Sequence, residues 1–306
     1  MPQSGKEIKR RINSVKNTEQ ITKAMEMVSA SKMRRSQEVA LSARPYAIKA
    51  LKILTRLSDK IDPIKHLLLE SREEGKIGLV LISTDKGLCG GLNANLFKKV
   101  GEFVKKNEST EFEVITVGKK AREWALRAGF KVSADFEGYG DKVDILEVLP
   151  LAKNLINDYK AKKYKSVVFA YTNFISTLKQ EAIIRPLLPI KKEILEEVVK
   201  EIIPEKGKYS KEDEKDKNKM GEYIFEPSAD EILKTVLPKL IETQVYHMVL
   251  EANASEHSAR MVAMKSASEA AQEMIEELSL SYNKVRQAGI TQEIAEISAG
   301  RAALEN

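Results

Sequence analysis

The chain is poor in the residues that most often build a chemical site. A single cysteine, Cys89, among 306 residues excludes an internal disulfide and a cysteine-rich metal site. The three histidines, His66, His247 and His257, fit no ligand pattern such as H-E-x-x-H. There is no G-x-S-x-G elbow and no G-x-x-x-x-G-K-[ST] phosphate loop. Aromatic residues make up 6%, and none interleaves with basic clusters as a nucleic-acid platform requires. No apolar run is long enough to span a bilayer, and the opening "MPQSGKEIKRRI" lacks a signal-peptide core. The reading is a cytoplasmic protein that meets a membrane only through partners.

Helix breakers are missing from two long stretches. From Lys6 to Arg44 there is no glycine or proline, and Ser4 and Glu7 form a capping box just upstream. Pro45 is expected to kink this helix without ending it, because apolar spacing resumes at Leu51, Leu54, Leu57 and Ile61; Pro63 is the expected stop. From Lys239 to Ala288 breakers are absent again, after a second capping box at Ser228 and Glu231 and a proline, Pro238, expected to bend the helix. Apolar or small residues recur at 241, 245, 248, 252, 255, 259, 262 and 266, a 4,3 alternation that predicts a coiled-coil seam. Its middle is small (Ala252, Ser255, Ala259, Ser266, Ala270), which lets two backbones approach closely. The helix is expected to continue past Gly289 to the C-terminus. Charged residues at 31% suit such long helices, and a net charge of +6 points to an acidic partner surface.

Between these helices the periodicity changes. "IGLVLIS" (77 to 83), "EVITV" (113 to 117), "SVVFAYTNF" (166 to 174) and "QEAIIRPLLPI" (180 to 190) read as strands. Helices are expected from about Ala94, over "KKAREWALRAG" with Gly129 closing it, and over about 143 to 162. This alternation predicts a Rossmann-like α/β domain with a mainly parallel sheet, its last strand antiparallel. The expected organisation is an N-terminal coiled-coil helix (1–62), the α/β domain (76–192), a charged excursion (204–221) and a C-terminal coiled-coil helix (227–306). In fold class it is mixed α+β, a long antiparallel two-helix coiled coil carrying an inserted α/β domain.

The turn "STDKGLCGGLNANL" (83 to 96) follows a strand and opens a helix, with Asn93 a plausible N-cap, which is the setting of a phosphate loop. Gly87, Gly90 and Gly91 do not make G-x-G-x-x-G, however, and Val117 and Gly118 stand where an acidic ribose contact belongs. A tight turn needing positive φ accounts for the glycines. The basic cluster Lys23, Lys32, Arg34 and Arg35 reads as a solvated helix face or as attraction to acidic partner loops. No residue is assigned to catalysis, cofactor or metal.

Four motifs, "NTEQITKAMEMVSASKMRRSQ" (17 to 37), "STDKGLCGGLNANL", "SEHSARMVAMKSASEAA" (255 to 271) and "YNKVRQAGITQEIAEISAGRAAL" (282 to 304), resemble in order the gamma subunit of F-type ATP synthases. The resemblance implies a non-catalytic rotor stalk of bacterial type, transmitting torque between ion flow and ATP synthesis or hydrolysis, with catalysis on the beta subunits. It implies as partners the alpha and beta subunits, epsilon and the c-ring, and a peripheral place on the cytoplasmic face of the cell membrane. It implies that Met25 and its neighbour Lys23 face acidic beta lever loops. Arg286 and Gln287 are similar to residues that meet beta catch loops, with Thr291, Glu293 and Glu296 near the same level and Arg260 supporting them. Tyr223 and Glu226 match positions close to the c-ring. The rival readings are a basic coiled-coil adaptor for nucleic acid or protein, and a dinucleotide-binding enzyme with helical arms.

Overall fold

The computed structural model describes residues 5–58, 66–140, 143–190 and 229–304. Helix α1 runs Gly5–Ser58, continuing through Pro45. The sheet and its helices follow as β1 (Lys76–Ile82), α2 (Leu92–Lys106), β2 (Phe112–Val117), α3 (Lys119–Arg127), β3 (Val132–Phe136), α4 (Ile145–Lys160), β4 (Tyr164–Phe174) and β5 (Gln180–Leu188). The last helix, α5 (Ala229–Leu304), is 76 residues long and continues through Pro238. The stop expected at Pro63, the serines of both capping boxes and the excursion at 204–221 lie outside the described residues.

The chain divides into two compact units, one holding residues 31–259 and the other the two ends, up to 30 and from 260 onward. In the first unit the five strands are ordered β3-β2-β1-β4-β5. β1, β2, β3 and β4 are parallel, while β5 pairs antiparallel with β4, as the short connection between them requires. β3 is an addition to the expected strands. Its burial alternates and it carries Ser133 and Asp135, so as an edge strand it lacks the continuous apolar run that marks β1.

Both faces of the sheet are covered. On one, Ile77, Leu79 and Leu81 meet Leu96 and Val100 of α2 and Ala121 and Ala125 of α3. Phe97 and Trp124 stack across those helices with centroids 5.0 Å apart. On the other, Val80, Ile82, Phe169 and Tyr171 meet Val148, Leu151 and Leu155 of α4 together with Leu240, Ile241, Val245, Met248 and Val249 of α5. The 4,3 positions from 241 to 252 therefore sit on a helix that packs into the α/β core, where burial is almost continuous around the cylinder.

At the N-terminal edge of the sheet, Tyr164 lays its ring against Gly78, where a Cβ would stand 3.1 Å from the ring. Its hydroxyl donates to the buried Glu113 carboxylate at 3.2 Å, which also pairs with Lys163 at 2.7 Å. Burial opposes the charge of Glu113, yet the Lys163 ammonium and the hydroxyls of Ser133 and Tyr164 hold its pKa below the ordinary carboxylate value.

Candidate functional site: the exposed faces of the paired helices

The second unit is a helix pair. Gly5, the first described residue of α1, lies against Tyr282 and Val285 of α5, with the site of a Cβ 3.8 Å from each. Residues 30 and 260 bound the same unit at its other end, so the two helices run antiparallel. Burial along α1 falls at 8, 12, 15, 19, 22, 26 and 29, a strict 4,3 repeat. The residues in that seam are Ile8, Ile12, Val15, Glu19, Thr22, Glu26 and Ser29, a mixture that hydropathy alone does not resolve into a stripe. On α5 the seam falls at 264, 268, 271, 275, 278, 282 and 285. Ser266 and Ala270, expected inside the seam, are exposed. The helix changes what it packs on, from sheet to helix, and the phase inferred from the residues that face the sheet does not carry over.

The predicted contact residues fall on this unit where they are described. Lys23 is exposed and pairs with Glu26 at 3.0 Å, and Met25 is half-buried at the margin of the seam. Their helix exposes apolar side chains as well: Ile21, Met27 and Val28 are each more than half exposed, Met27 at 61%. Arg260 is buried at 8% exposure. Arg286, Gln287, Thr291, Glu293 and Glu296 are all exposed. Two hydrogen bonds run along the helix there, from Thr291 Oγ1 to the Gln287 carbonyl at 2.9 Å and from Gln292 Nε2 to Glu296 Oε1 at 2.9 Å. Tyr223 and Glu226 lie outside the described residues.

Every residue from 286 to 301 is exposed, a stretch of about 24 Å that no other described residue covers. Ile290, Ile294 and Ile297 stand along it at i, i+4 and i+7, the last 73% exposed. The sequence reading passed over these three. Their spacing was visible, but only exposure distinguishes a core stripe from an uncovered one.

The Gly-rich turn of the α/β unit is built for structure. Leu88 and Gly90 take positive φ, 62° and 59°. Asp85 Oδ1 accepts from the Lys119 N–H at 3.0 Å and Oδ2 from the Gly138 N–H at 3.2 Å, so the loop caps α3 and ties down the end of β3. Asn93 does not serve as N-cap. Gly91 occupies that position, and Asn93 reaches back to donate to Thr84 Oγ1 at 2.8 Å. The sheet order reverses between β1 and β4, where folds of this kind bind nucleotides. Here Ala252, Asn253 and Glu256 of α5 close that crevice over Thr84, Asn93 and Thr172, leaving room for about one water at most. A methyl group at Gly118 would collide with the Ser83 carbonyl, and its φ is positive, so the turn after β2 needs glycine there. The dinucleotide reading fails on this geometry.

A family model described as ATP synthase matches residues 4–304. The ATP synthase gamma chain of Chloroflexus aurantiacus is 40% identical over 306 residues, covering 98% of this chain and 99% of that one. The chain belongs to the ATP synthase gamma chain family. The gamma chain of Pelotomaculum thermopropionicum is likewise 40% identical over 300 residues, with 98% and 99% coverage. Among solved structures, a chain of the Tetrahymena thermophila mitochondrial ATP synthase central stalk and c-ring superposes with TM-score 0.57 at 23% identity, covering 81% of this chain and 99% of that one. A chain of the Euglena gracilis mitochondrial ATP synthase (OSCP/F1/c-ring, rotational state 3) gives TM-score 0.61 at 17% identity, with 97% and 93% coverage. At such identities these two establish the fold alone. Gamma-chain membership along the whole chain sets aside the adaptor reading.

Proposed function

We propose that this chain is the central rotor stalk of an F-type ATP synthase, turning within a ring of alpha and beta subunits and carrying torque between that ring and a membrane ion channel. Nucleotide chemistry belongs to the beta subunits, and this chain contributes mechanical coupling. One observation carries the reading beyond family membership: the uncovered α5 stretch with Ile290, Ile294 and Ile297 exposed. An open apolar stripe on an uncovered helix calls for a surrounding sleeve. Partners are the alpha-beta ring, epsilon and the c-ring. The place is the cytoplasmic face of a bacterial cell membrane, reached through partners; no helix among the described residues is long and apolar enough to cross a membrane.

Arg286, Gln287, Thr291, Glu293 and Glu296 meet the beta catch loops, and Lys23 and Met25 meet the acidic lever loops. Arg260 supports the catch contact, and Tyr223 and Glu226 reach the c-ring. A shaft must present one surface to three partners in turn, so a deep grip on any of them is a trap: each 1.4 kcal/mol slows release about tenfold. Met adapts its shape with little strain, and the exposed polar groups of this surface hold weakly. Met25→Lys is expected to tighten contact with acidic loops and lower the ratio of ions pumped to ATP hydrolysed; an unchanged ratio contradicts the assignment. The reading as a whole is tested by purifying tagged chain. Alpha and beta subunits are expected to accompany it, and a ring that assembles and hydrolyses ATP equally well without it rejects the rotor role.

A further inference from the structure

Between Val245 and Ala252, α5 packs into the apolar core, and the hydrophobic driving force for that burial is itself non-directional. From Tyr246 to Ser258, directional bonds join that packing and then replace it. The Tyr171 hydroxyl donates to Glu251 at 2.9 Å. The Ser255 hydroxyl donates to the Thr172 carbonyl at 2.9 Å. The Ser258 hydroxyl donates to the Thr177 carbonyl at 2.7 Å and accepts from Gln180 Nε2 at 3.3 Å. These partners lie on β4, in the turn into β5 and at the first residue of β5. From elsewhere in the unit, the Val143 carbonyl accepts from the Tyr246 hydroxyl at 3.0 Å, and the Gly140 carbonyl accepts from Asn253 Nδ2 at 3.2 Å.

The positions of these residues on the helix are decisive. At about 100° per residue, Glu251, Ser255 and Ser258 fall within roughly 60° of one another, and Tyr246 and Asn253 within roughly 20°. The two groups stand about 160° apart around the cylinder. Bonds on opposite sides of a helix, each about 5 Å from its axis, oppose rotation in both senses, because turning either way stretches bonds on both sides at once. Ser255 and Ser258 are fully buried, so no water competes for their hydroxyls, and a broken bond leaves a buried group unsatisfied. The clamp closes at Ser258, and the boundary of the compact unit falls directly after residue 259.

We propose that Tyr246, Glu251, Asn253, Ser255 and Ser258 form a two-jawed torque joint that fixes the rotational angle of α5 against the sheet, so that twist applied to the α/β domain enters the long helix without angular play. They are positioning residues, and the proposal rests on the rotor reading above.

The test uses the assembled complex, with the alpha-beta ring fixed to a surface and a bead attached to the α/β domain through Lys106→Cys. The readout is the angular spread of the bead while rotation is paused. The spread is expected to widen about twofold or more in Tyr246→Phe/Asn253→Ala/Ser255→Ala/Ser258→Ala, because directional bonds are lost on both sides of the helix. Either jaw cut alone (Tyr246→Phe/Asn253→Ala or Ser255→Ala/Ser258→Ala) is expected to widen it less, and these milder variants carry the test if the quadruple variant does not assemble. Met248→Ala, which thins apolar packing on the same helix, is expected to lower the melting temperature and leave the spread unchanged. A jaw variant whose spread equals that of wild type, or a Met248→Ala spread as wide as the jaw variants', overturns the joint. Wild-type beads that never turn on ATP mean instead that the rotor reading has failed.

Discussion

The α/β unit buries Tyr159, Tyr164, Phe169 and Tyr171 almost completely, whereas the paired helices bury Ile8, Met264 and Ala271 beside Thr22, Ser29, Ser268 and Arg260. The first is a conventional two-faced core whose large side chains interlock. The second is thin, partly polar at its centre, and exposes Ile21, Met27, Ile294 and Ile297 on its outside. A domain that keeps one shape gains from tight apolar interlocking. A helix pair that serves as a bearing surface, the role proposed for this one, needs only enough seam to stay paired, and apolar groups on its outside suit contact with partners. The contrast is one of stiffness allocated by location.

The comparison can be broken most severely in the core. Phe169→Ala is expected to destabilise the α/β unit by about 3–5 kcal/mol. Trp124, the one tryptophan of the chain, sits in that unit against Phe97, so its fluorescence during urea unfolding reads the loss directly. A denaturation midpoint close to wild type would show that the core is looser than its burial implies.

The edge of the sheet is the next test, and it depends on pH. Glu113 has a folded pKa below its ordinary value of 4.5. Its contribution is therefore fully present above about 4.5 and is lost as pH falls through the lower, folded value. Glu113→Gln is expected to lower the melting temperature at neutral pH, and the difference from wild type is expected to shrink on acidification into that window. A difference independent of pH would mean that the Lys163 pair contributes nothing ionic.

The smallest effect is expected in the helix pair and has the opposite sign. The Thr22 hydroxyl donates only to carbonyls of its own helix, Thr18 at 3.0 Å and Glu19 at 2.9 Å. Thr22→Val keeps the shape and adds apolar surface to the seam, for a gain of about 1 kcal/mol or less. Circular dichroism of the full chain should show helix melting slightly later. A clear loss would mean that the polar seam contributes to stability and is not merely tolerated.

The same contrast explains what could be read before the structure was known. Strands β1, β2 and β4 were legible because buried strands are continuous apolar runs, and β5 from its apolar groups (Ile183, Ile184, Leu187, Leu188) and its short connection to β4, which also made the last pair antiparallel. β3 was not, since Ser133 and Asp135 face outward from an edge. The α1 seam was hidden because Glu19, Thr22, Glu26 and Ser29 occupy positions where Leu or Ile would announce a coiled coil. The α5 repeat was visible, but Ser266 and Ala270 show that a period does not say which surface a helix meets. Of the proposed contact surface, the charged and amide positions from Arg286 to Glu296 came from resemblance to a family, while the exposed isoleucines between them needed coordinates. The jaw residues Tyr171 and Glu251 are 80 residues apart in sequence, a pairing no local pattern reveals.

The central claim is that a firmly packed domain turns as one piece with a loosely gripped shaft inside a fixed ring. It is tested most directly by anchoring the alpha-beta ring, marking the α/β domain at Lys106, supplying ATP and following the marker's angle in single complexes. The account predicts continued rotation in one direction, with three equivalent pauses per turn. A marker that stays at one angle while ATP is hydrolysed would contradict it.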